Sequence, residues 1–437
     1  MNPFRTTLQA LAEALVEGLW REDDLVDRGG RALGRRPRWL RPTVRRVLAA
    51  FPDARPTSGR VADLLAADPK FRAHYPFAIA VERRPPPAMA PAPGPPSTWP
   101  VPSIATTPEL AGRLGLGPAD LDWLADRRGF ERTAPEGPLR RYDYRWRPKR
   151  NGSTRLIEVP RPRLKAIQRR LLAEILGPIP PHDAAHGFRP GRSVRSFVGP
   201  HAGRDVVLKL DLLDFFPSIG SGRVVALFRT AGYPEAVAST LAGLCTNRVP
   251  PGAWKGPDGP IPGPDARRIR RLYRARHLPQ GAPTSPALAN LCAYRLDCRL
   301  AGLAASAGAT YTRYADDLAF SGGVDLARSI DRFRVHAHAI AMEEGFTVHA
   351  GKTRVMRRGA RQMLAGAVLN DRPNVARDRF DALKAILHNC VRLGPAGQNR
   401  SGHPDFRAHL AGRVAHVATL NPGRAAKLRA ILDRVAW

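Results

Sequence analysis

The sequence predicts an α+β fold in which helical segments surround a small set of strands. Helical spacing of apolar residues covers residues 1–83 and returns from Thr107 to Arg128. Residues 205–219 form an apolar stretch typical of a buried strand, and residues 311–322 predict a strand, a tight turn and a returning strand. Helical patterns then fill Asp378 to Trp437. Long helical runs at both ends with strands between them favour the α+β class.

The N-terminal 83 residues are predicted to form a small helical module. One apolar face carries Leu8, Leu11, Leu15 and Leu19, and a second carries Val44, Val47, Leu48 and Phe51. Basic residues between these faces leave two interpretations open: a surface that binds nucleic acid or a partner, and a packing appendage. A proline-rich stretch from Arg84 to Pro102 favours an extended spacer, so we place a linker at 84–106.

Composition favours a polyanionic partner. The 437-residue chain has 70 Lys+Arg against 38 Asp+Glu, a formal net charge of +32 that attracts nucleic acid. The cysteines Cys245, Cys292, Cys298 and Cys390 form no CxxC pair, which argues against a disulfide scaffold or structural zinc. No apolar run is long enough to span a bilayer, so the sequence predicts a cytoplasmic protein with no membrane partner.

Two adjacent carboxylates, Asp316 and Asp317, fall in the predicted turn of residues 311–322. Because like charges side by side repel, such a pair either binds a cation or forms an ordinary solvated turn. Mg²⁺ is usually held by one or two carboxylates plus water and substrate phosphates. Asp211, at the end of the preceding apolar strand, is the natural third ligand. Asp214 either faces a nucleotide or caps the next helix.

Three basic segments flank these aspartates in the sequence. Asn151-Gly152 between strand-like runs predicts a hairpin over 142–160, with Lys149 and Arg155 near its tip, where they either hold a triphosphate or form a solvated surface. Residues His186 to Ser193 form a basic loop. An arginine-rich run over 267–276 predicts either contact with template or structured RNA, or a solvated helix face.

The remaining segments complete the predicted order. Gln280-Gly281 is interpreted as a loop whose backbone can approach a ligand closely, and Ser285 is predicted to be the N-cap of a helix whose first residue is Pro286. Residues 325–344 predict a helix, residues 345–349 a strand, and Lys352 follows. Asn421 and Pro422 predict the start of the last helix.

Taken in order from about Thr107 onward, these segments resemble the core of reverse transcriptases, most closely the bacterial retron type. The resemblance rests on residues 149–155, 186–193, 210–219, 278–291, 314–318, 345–352 and 366–370. It implies a right-hand polymerase fold, with fingers and a ferredoxin-like palm over 107–375 and a helical thumb over 376–437. The N-terminal module precedes this core.

The resemblance also implies a role for individual residues. Asp211, Asp316 and Asp317 match catalytic carboxylates that hold two Mg²⁺ ions, with Mn²⁺ as an alternative, and the Leu212 carbonyl is a further ligand. Lys352 matches a catalytic lysine that protonates or screens the leaving pyrophosphate. Phe216 matches a steric gate that excludes the 2′-hydroxyl of ribonucleotides. The full set of implied nucleotide-binding residues is Lys149, Arg155, Asp214, Phe215, Phe216, Gln280 and Gly281.

The function implied is RNA-directed DNA synthesis on a structured noncoding RNA, with dNTPs as substrates, in an antiviral defence system that includes an effector protein. Alternatives are a defence-associated reverse transcriptase with another template or primer, and a catalytically silent RNA-binding scaffold. Two signatures of retron enzymes are altered. The Asn-Ala-x-x-His signature appears as Phe197 to His201 with only the histidine kept, and Val-Thr-Gly appears as Leu364-Ala365-Gly366.

Overall fold

A computed structural model gives the fold of the chain and describes residues 3–16, 20–52, 56, 58–74, 99–133, 137, 139–148, 154–256, 259–260 and 266–437. Its contacts divide the chain into two compact units, Met1–Met89 and Ala90–Trp437. Most of the predicted proline-rich linker lies outside the described residues, so the linker and the domain boundaries stay predictions.

The described part of the first unit is helical, as predicted. Its helices are α1 (Pro3–Val16), α2 (Glu22–Ala32), α3 (Leu40–Ala50), α4 (Ser58–Ala67) and α5 (Pro69–His74). Leu11, Leu15 and Val44 are fully buried in its core, as the apolar spacing predicts, whereas Leu19 lies outside the described residues. Several exposed arginines are paired locally, Arg36 with Asp27 and Arg41 with Glu22 among them. These pairs neutralise part of the basic character that the sequence indicates.

The second unit mixes helices and strands. In chain order its described elements are α6 (Thr107–Leu114), α7 (Pro118–Ala125), β1 (Tyr142–Pro148), β2 (Thr154–Pro160), α8 (Pro162–Leu171), α9 (Val194–Val198), β3 (Val206–Asp211), α10 (Phe215–Ser218), α11 (Ser221–Thr230), α12 (Glu235–Cys245), β4 (Lys255–Gly256), β5 (Gly259–Pro260), α13 (Ala266–Arg274), α14 (Ser285–Cys292), α15 (Tyr294–Ser306), β6 (Thr310–Tyr314), β7 (Asp317–Gly322), α16 (Val324–Glu343), β8 (Arg354–Arg357), β9 (Met363–Leu364), β10 (Ala367–Val368), β11 (Asn374–Val375), α17 (Arg377–Leu393), α18 (Phe406–Leu420) and α19 (Pro422–Leu432).

The central sheet has the strand order β6-β7-β3-β8, and all its neighbouring strands are antiparallel. Between β3 and β6 the chain runs through α10 to α13 and the short pair β4–β5 before it reaches helices α14 and α15, and α16 separates β7 from β8. A strand, a helix, two strands, a helix and a strand in this order form the split βαβ arrangement of ferredoxin-like folds. The predicted α+β class and ferredoxin-like core are therefore confirmed.

Both faces of the sheet are covered, which explains the nearly continuous apolar sequence of β3. On one side α16 packs against β3 and β7, and Phe333 of α16 meets the ring of Phe320 edge-on. On the other side Val207 and Ala319 join a buried cluster that extends through Leu387 and Val414 into the C-terminal helices α17 to α19. Asn421 caps α19 by accepting a hydrogen bond from the Arg424 amide, as predicted.

The predicted hairpin β1–β2 is confirmed and forms a second packing centre. Leu156 of β2 packs with Tyr273 of α13 and with Val249 and Ala253 of the intervening segment. Trp146 donates a hydrogen bond from its indole nitrogen to the Ala253 carbonyl at 3.1 Å. Helix α13 therefore packs against the hairpin β1–β2.

Three predicted element boundaries are wrong. Residues 345–349 form no strand: they make one isolated bridge, Leu212 to Val348, and a 3-10 turn over 350–352 interrupts the ladder before the actual edge strand, β8. The strand predicted over 205–219 ends at Asp211. Helix α14 is preceded by Thr284, and the Ser285 hydroxyl instead donates to the Pro279 carbonyl.

Candidate active site

The sheet brings the three predicted aspartates to one end. Asp211 is the last residue of β3 and lies directly opposite Asp317, the first residue of β7. Asp316 occupies the turn before β7, and its carbonyl accepts a hydrogen bond from the Leu212 amide at 2.8 Å. Directly opposite residues in an antiparallel pair have Cβ atoms about 4.5–5.5 Å apart. The predicted convergence of Asp211 with the 316–317 turn is therefore present.

Repulsion and burial act on this cluster. The pKa of Asp316 is raised above the ordinary aspartate value, first by burial and then by the negative charges of Asp317 and Asp211. Two lysines offset the charge of the other aspartates. The Lys352 ammonium contacts both carboxylate oxygens of Asp211, at 3.0 and 2.8 Å, and Lys209 pairs with Asp317 at 2.8 Å. Cations therefore already sit against two of the three carboxylates.

The donor set suits a hard divalent cation. Carboxylate oxygens are preferred ligands of Mg²⁺, and the two ammonium groups show that positive charge is favoured at this point. Within the described residues, no three His, Cys, Asp or Glu side chains are already arranged around one ion position. Mg²⁺ normally completes its shell with water and substrate phosphates, so a site of one or two carboxylates per ion fits the chemistry.

The turn that carries Asp316 and Asp317 is supported by Arg313, a residue that the sequence patterns did not single out. Its guanidinium is fully buried and is held by both oxygens of Asp297, at 2.7 and 2.6 Å. A third contact runs from Arg313 to the carbonyl of Ala315, at 3.1 Å. Ala315 has φ 54°, a left-handed conformation that is costly for a residue with a Cβ atom. Arg313 thus fixes a strained residue immediately before Asp316.

The loop 186–188 packs against the same turn. The His186 amide donates to the Arg313 carbonyl at 2.7 Å, and Asn290 donates from its side chain to the Gly187 carbonyl at 2.8 Å. A Cβ atom on Gly187 would lie 2.7 Å from the Ala315 nitrogen, so only glycine allows this approach.

The predicted nucleotide-binding residues of 214–216 have different environments. Asp214 has φ 49° and no side-chain cap hydrogen bond, which argues against its capping role; its carboxylate pairs with Arg268 of α13. Phe216 is half-buried and lies beside Phe188, with ring centroids 6.0 Å apart. Phe215 is only 3% exposed, because it packs in the core against Phe346. The structure therefore does not place Phe215 on a surface that a nucleotide could reach.

Gln280 and Gly281 lie against the hairpin β1–β2. The Gln280 carbonyl accepts from the Glu158 amide at 2.9 Å, and a Cβ on Gly281, whose φ is 138°, would lie 2.7 Å from the Glu158 carbonyl. The close backbone approach predicted for this glycine is thus made to strand β2. Glu158 itself is buried and accepts hydrogen bonds from His277 and Asn247.

The hairpin tip is only partly described. Arg155 is exposed on β2, opposite Arg147 of β1, whereas Lys149 lies outside the described residues. Positive charge on an exposed hairpin is consistent with the predicted triphosphate contact, which stays a prediction for both residues.

Comparisons with known proteins agree with this geometry. Residues 147–381 match the family model described as reverse transcriptase (RNA-dependent DNA polymerase). The retron Mx65 reverse transcriptase of Myxococcus xanthus is 42% identical over 330 residues, which cover 75% of this chain and 71% of that protein. This chain belongs to the retron reverse transcriptases. It is an RNA-directed DNA polymerase by family.

Other relatives extend the comparison of this reverse transcriptase. The retron Mx162 enzyme of the same organism is 38% identical over 75% of this chain and 65% of its own length. The retron Ec86 enzyme of Escherichia coli is 30% identical over 54% of this chain and 65% of its own length. Among solved structures, telomerase from Candida albicans aligns with a TM-score of 0.34 and 11% identity over 67% of this chain and 55% of that one.

The altered retron signatures are explained by packing in this reverse transcriptase. Phe197 and Val198 are fully buried in the cluster beneath the sheet. The retained His201 is buried as well and contacts the hydroxyls of Ser321 and Thr312, each at 2.7 Å. Burial lowers its pKa to about 3, so it is neutral at physiological pH and clamps β6 to β7. In the second signature, Ala365 and Gly366 both have positive φ and form the turn between β9 and β10.

Sequence reasoning missed Lys209, Arg313 and Phe188. Lys209 and Arg313 could have been found from the sequence. Each is a charged residue inside a segment that otherwise looks like a buried strand, and a charge there needs a partner of opposite charge. Phe188 lies in a segment whose interpretation rests only on its basic residues.

The raised pKa of Asp316 predicts a gain in stability when its charge is removed. A group with a raised folded pKa opposes folding once it is ionised, so the cost is full above that pKa and absent below the unfolded value. Asp316→Asn should therefore unfold at higher urea concentration than the wild type at pH 7 without metal. The difference should shrink as pH falls toward 4. An Asn variant that is less stable at pH 7 would contradict repulsion within the cluster.

Proposed function

We propose that this reverse transcriptase copies a structured noncoding RNA into single-stranded DNA by two-metal phosphoryl transfer. The observation that supports this most directly is the convergence of Asp211, Asp316 and Asp317 at one end of the central sheet. Three anions on a protein of net charge +32 are unexpected for an RNA-binding scaffold, whereas polymerisation requires them.

In the proposed mechanism the protein mainly positions charges. Asp211, Asp316 and Asp317, with the Leu212 carbonyl, would hold the two ions. When bound, Mg²⁺ or Mn²⁺ supplies a lowered pKa at the primer hydroxyl and neutralises charge on the phosphates. Lys352 leaves the Asp211 carboxylate and turns to the departing pyrophosphate, which it screens or protonates. Arg155 and Lys149 hold the triphosphate.

The aromatic residues near the aspartates would select dNTPs over ribonucleotides. Phe216 is half-buried and its ring contacts those of Phe215 and Phe188, with centroids 5.6 and 6.0 Å away. A ring held beneath the sugar leaves no room for a 2′-hydroxyl, which favours dNTPs. Asp214, held by Arg268, and Gln280 line the approach to the nascent base pair in this proposal.

Only some arginines of the run over 267–276 are free to make the proposed contact with template RNA. Arg276 is mostly buried and pairs with Asp126, so it serves packing. Four exposed arginines of α13 instead recur at i, i+3, i+4 and i+7 and form one stripe, which we call the α13 arginine stripe: Arg267, Arg270, Arg271 and Arg274. The opposite face carries Ile269, Leu272 and Tyr273 and is packed against the hairpin β1–β2. We propose that the stripe contacts template phosphates.

Changing all four stripe arginines to glutamine should weaken RNA binding and lower its salt dependence. For single strands the slope of log K against log salt falls by about 0.7 for each phosphate that is no longer neutralised. Titrations with fluorescent RNA at several salt concentrations measure this slope. A matched control changes four arginines of α15 and α16, R295Q/R328Q/R332Q/R334Q, and removes the same charge. Equal slopes for both variants would show that net charge alone, and not the stripe, acts on RNA.

The biological setting is proposed from the family. Because the similar proteins are retron reverse transcriptases, we propose a structured noncoding RNA as template and primer, and an antiviral defence role with an effector protein. The altered signatures support the alternative, a reverse transcriptase with another template or priming mode. No helix in the described ranges combines the length and apolar character needed to cross a membrane. The cytoplasmic location stays a prediction.

The test is to purify the protein from its host with bound nucleic acid and to sequence that nucleic acid. A single noncoding RNA joined to complementary DNA is expected. Extension of this material with labelled dNTPs and Mg²⁺, and its loss with EDTA, checks the chemistry. Heterogeneous cellular RNA without attached DNA would contradict the proposed template.

A further inference from the structure

Phe188 is an exposed aromatic residue whose backbone is in an unfavourable conformation. Its φ is 58°, in the left-handed region that bulky residues rarely adopt, and 49% of it is exposed. Exposed apolar surface and backbone strain are both unfavourable for folding alone. Their combination at one residue points to a role in binding.

The two residues before Phe188 place its ring beside the turn that carries Asp316 and Asp317. The His186 amide is bonded to the Arg313 carbonyl of β6, the Gly187 carbonyl accepts from the Asn290 side chain of α14, and Gly187 closely approaches the Ala315 nitrogen of the turn. From this anchor the Phe188 ring reaches two half-buried aromatic residues. Its centroid lies 6.0 Å from that of Phe216 and 6.4 Å from that of Tyr314, the residue before the strained Ala315.

The rings of Phe188 and Phe216 are apolar and lie near the turn that carries Asp316 and Asp317. Phe216 and Phe188 carry no hydrogen-bonding group in their side chains. A deoxyribose could cover such a surface at little cost, because it has no polar group at C2′. A ribose would bury its 2′-hydroxyl without a partner, which is unfavourable in addition to any steric clash.

We propose that Phe188 is a second specificity-determining residue, which completes with Phe216 the surface that selects deoxyribonucleotides. The inference rests on the proposed function of the site. Phe188 acts in two ways: it presents apolar surface to the sugar, and it contacts the Phe216 ring, which Phe215 also contacts. Removal of its ring lets the gate move and admits water that can satisfy a 2′-hydroxyl.

The test compares kcat/KM for dGTP and GTP in single-nucleotide extension of a primed RNA template. Phe188→Ala should lower the preference for dGTP by about 10-fold, within the range that one pocket contact supplies. Phe188→Gly should lower it equally while its melting temperature is not reduced, because glycine adopts positive φ without strain. A residue with a purely structural role would lose stability and keep its selectivity.

Two controls separate the possible failures. Phe130 is an equally apolar, 59% exposed residue of the same unit, and Phe130→Ala should leave the dGTP preference unchanged. Phe216→Ala should lower the preference by at least as much as Phe188→Ala. If Phe216→Ala does so but Phe188→Gly, folded by circular dichroism, keeps the wild-type preference, the inference is overturned while the proposed function stands. If the wild type extends no primer with dGTP, the proposed function itself fails.

Discussion

Asp316→Asn should reduce incorporation of dNTPs on an RNA template by at least about 1,000-fold, equivalent to ~4 kcal/mol of transition-state stabilisation. The amide keeps the shape of the carboxylate but removes the charge that holds a divalent cation. Asp316 precedes Asp317 in the turn, and its carbonyl is bonded to the Leu212 amide next to Asp211, so its carboxyl group belongs to the same acidic cluster. Primer extension with Mg²⁺ and with Mn²⁺ measures the loss.

The matched control for that experiment is Asp325→Asn. Asp325 is a fully exposed aspartate in the first turn of α16, on the same unit and only a few residues away in sequence. It should extend primers at the wild-type rate. RNA binding by Asp316→Asn should persist, since the arginines remain. Extension by Asp316→Asn at the wild-type rate would remove the catalytic assignment of the turn.

Arg313→Met should destabilise the polymerase unit by about 3–5 kcal/mol, because it leaves Asp297 as a buried, uncompensated charge. Arg313 is also the donor to the Ala315 carbonyl, so the turn that carries Asp316 and Asp317 loses this support. Urea denaturation followed by fluorescence measures the loss of stability. Primer extension below the unfolding transition measures the loss of activity separately.

A second variant distinguishes charge from position. The double variant Asp297→Leu with Arg313→Met removes both charges, so much of the stability should return, as it does when buried ion pairs are replaced by apolar residues. Its activity should stay low, because the hydrogen bond to Ala315 is still missing. Arg299→Met, at a partly exposed ion pair with Glu343 and Glu344, is the control and should cost less than about 1 kcal/mol. Full recovery of activity in the double variant would show that Arg313 serves stability alone.

The sequence predicted the core of the site because the relevant signals are local. A strand, an Asp-Asp turn and a returning strand are encoded within a dozen residues, and the structure has them at 310–322. Asp211 and Asp317 are far apart in the sequence, so no local pattern predicts that they meet. Their proximity was predicted only because metal binding by the Asp-Asp turn calls for a third carboxylate. The β3–β7 register supplies it.

What the sequence could not supply were contacts set by tertiary packing. Residues 345–349 have a strand-like composition, yet Gly345 with φ 75° and the 3-10 turn at 350–352 limit them to one bridge. The Gly281 backbone was expected to approach a ligand, but β2 occupies that space. Phe215 and Phe216 are adjacent and chemically identical, and only the packing of α10 decides which of them is buried.

The pairing of Lys209 and Lys352 with two of the aspartates bears on how strongly this end of the sheet attracts a cation. Each ammonium group already compensates one carboxylate, so the cluster carries less net negative charge than three isolated aspartates would. A divalent ion that binds there would compete with an ammonium group for the same oxygens. The folded state of this part of the sheet therefore depends less on a bound ion than the three carboxylates alone would suggest.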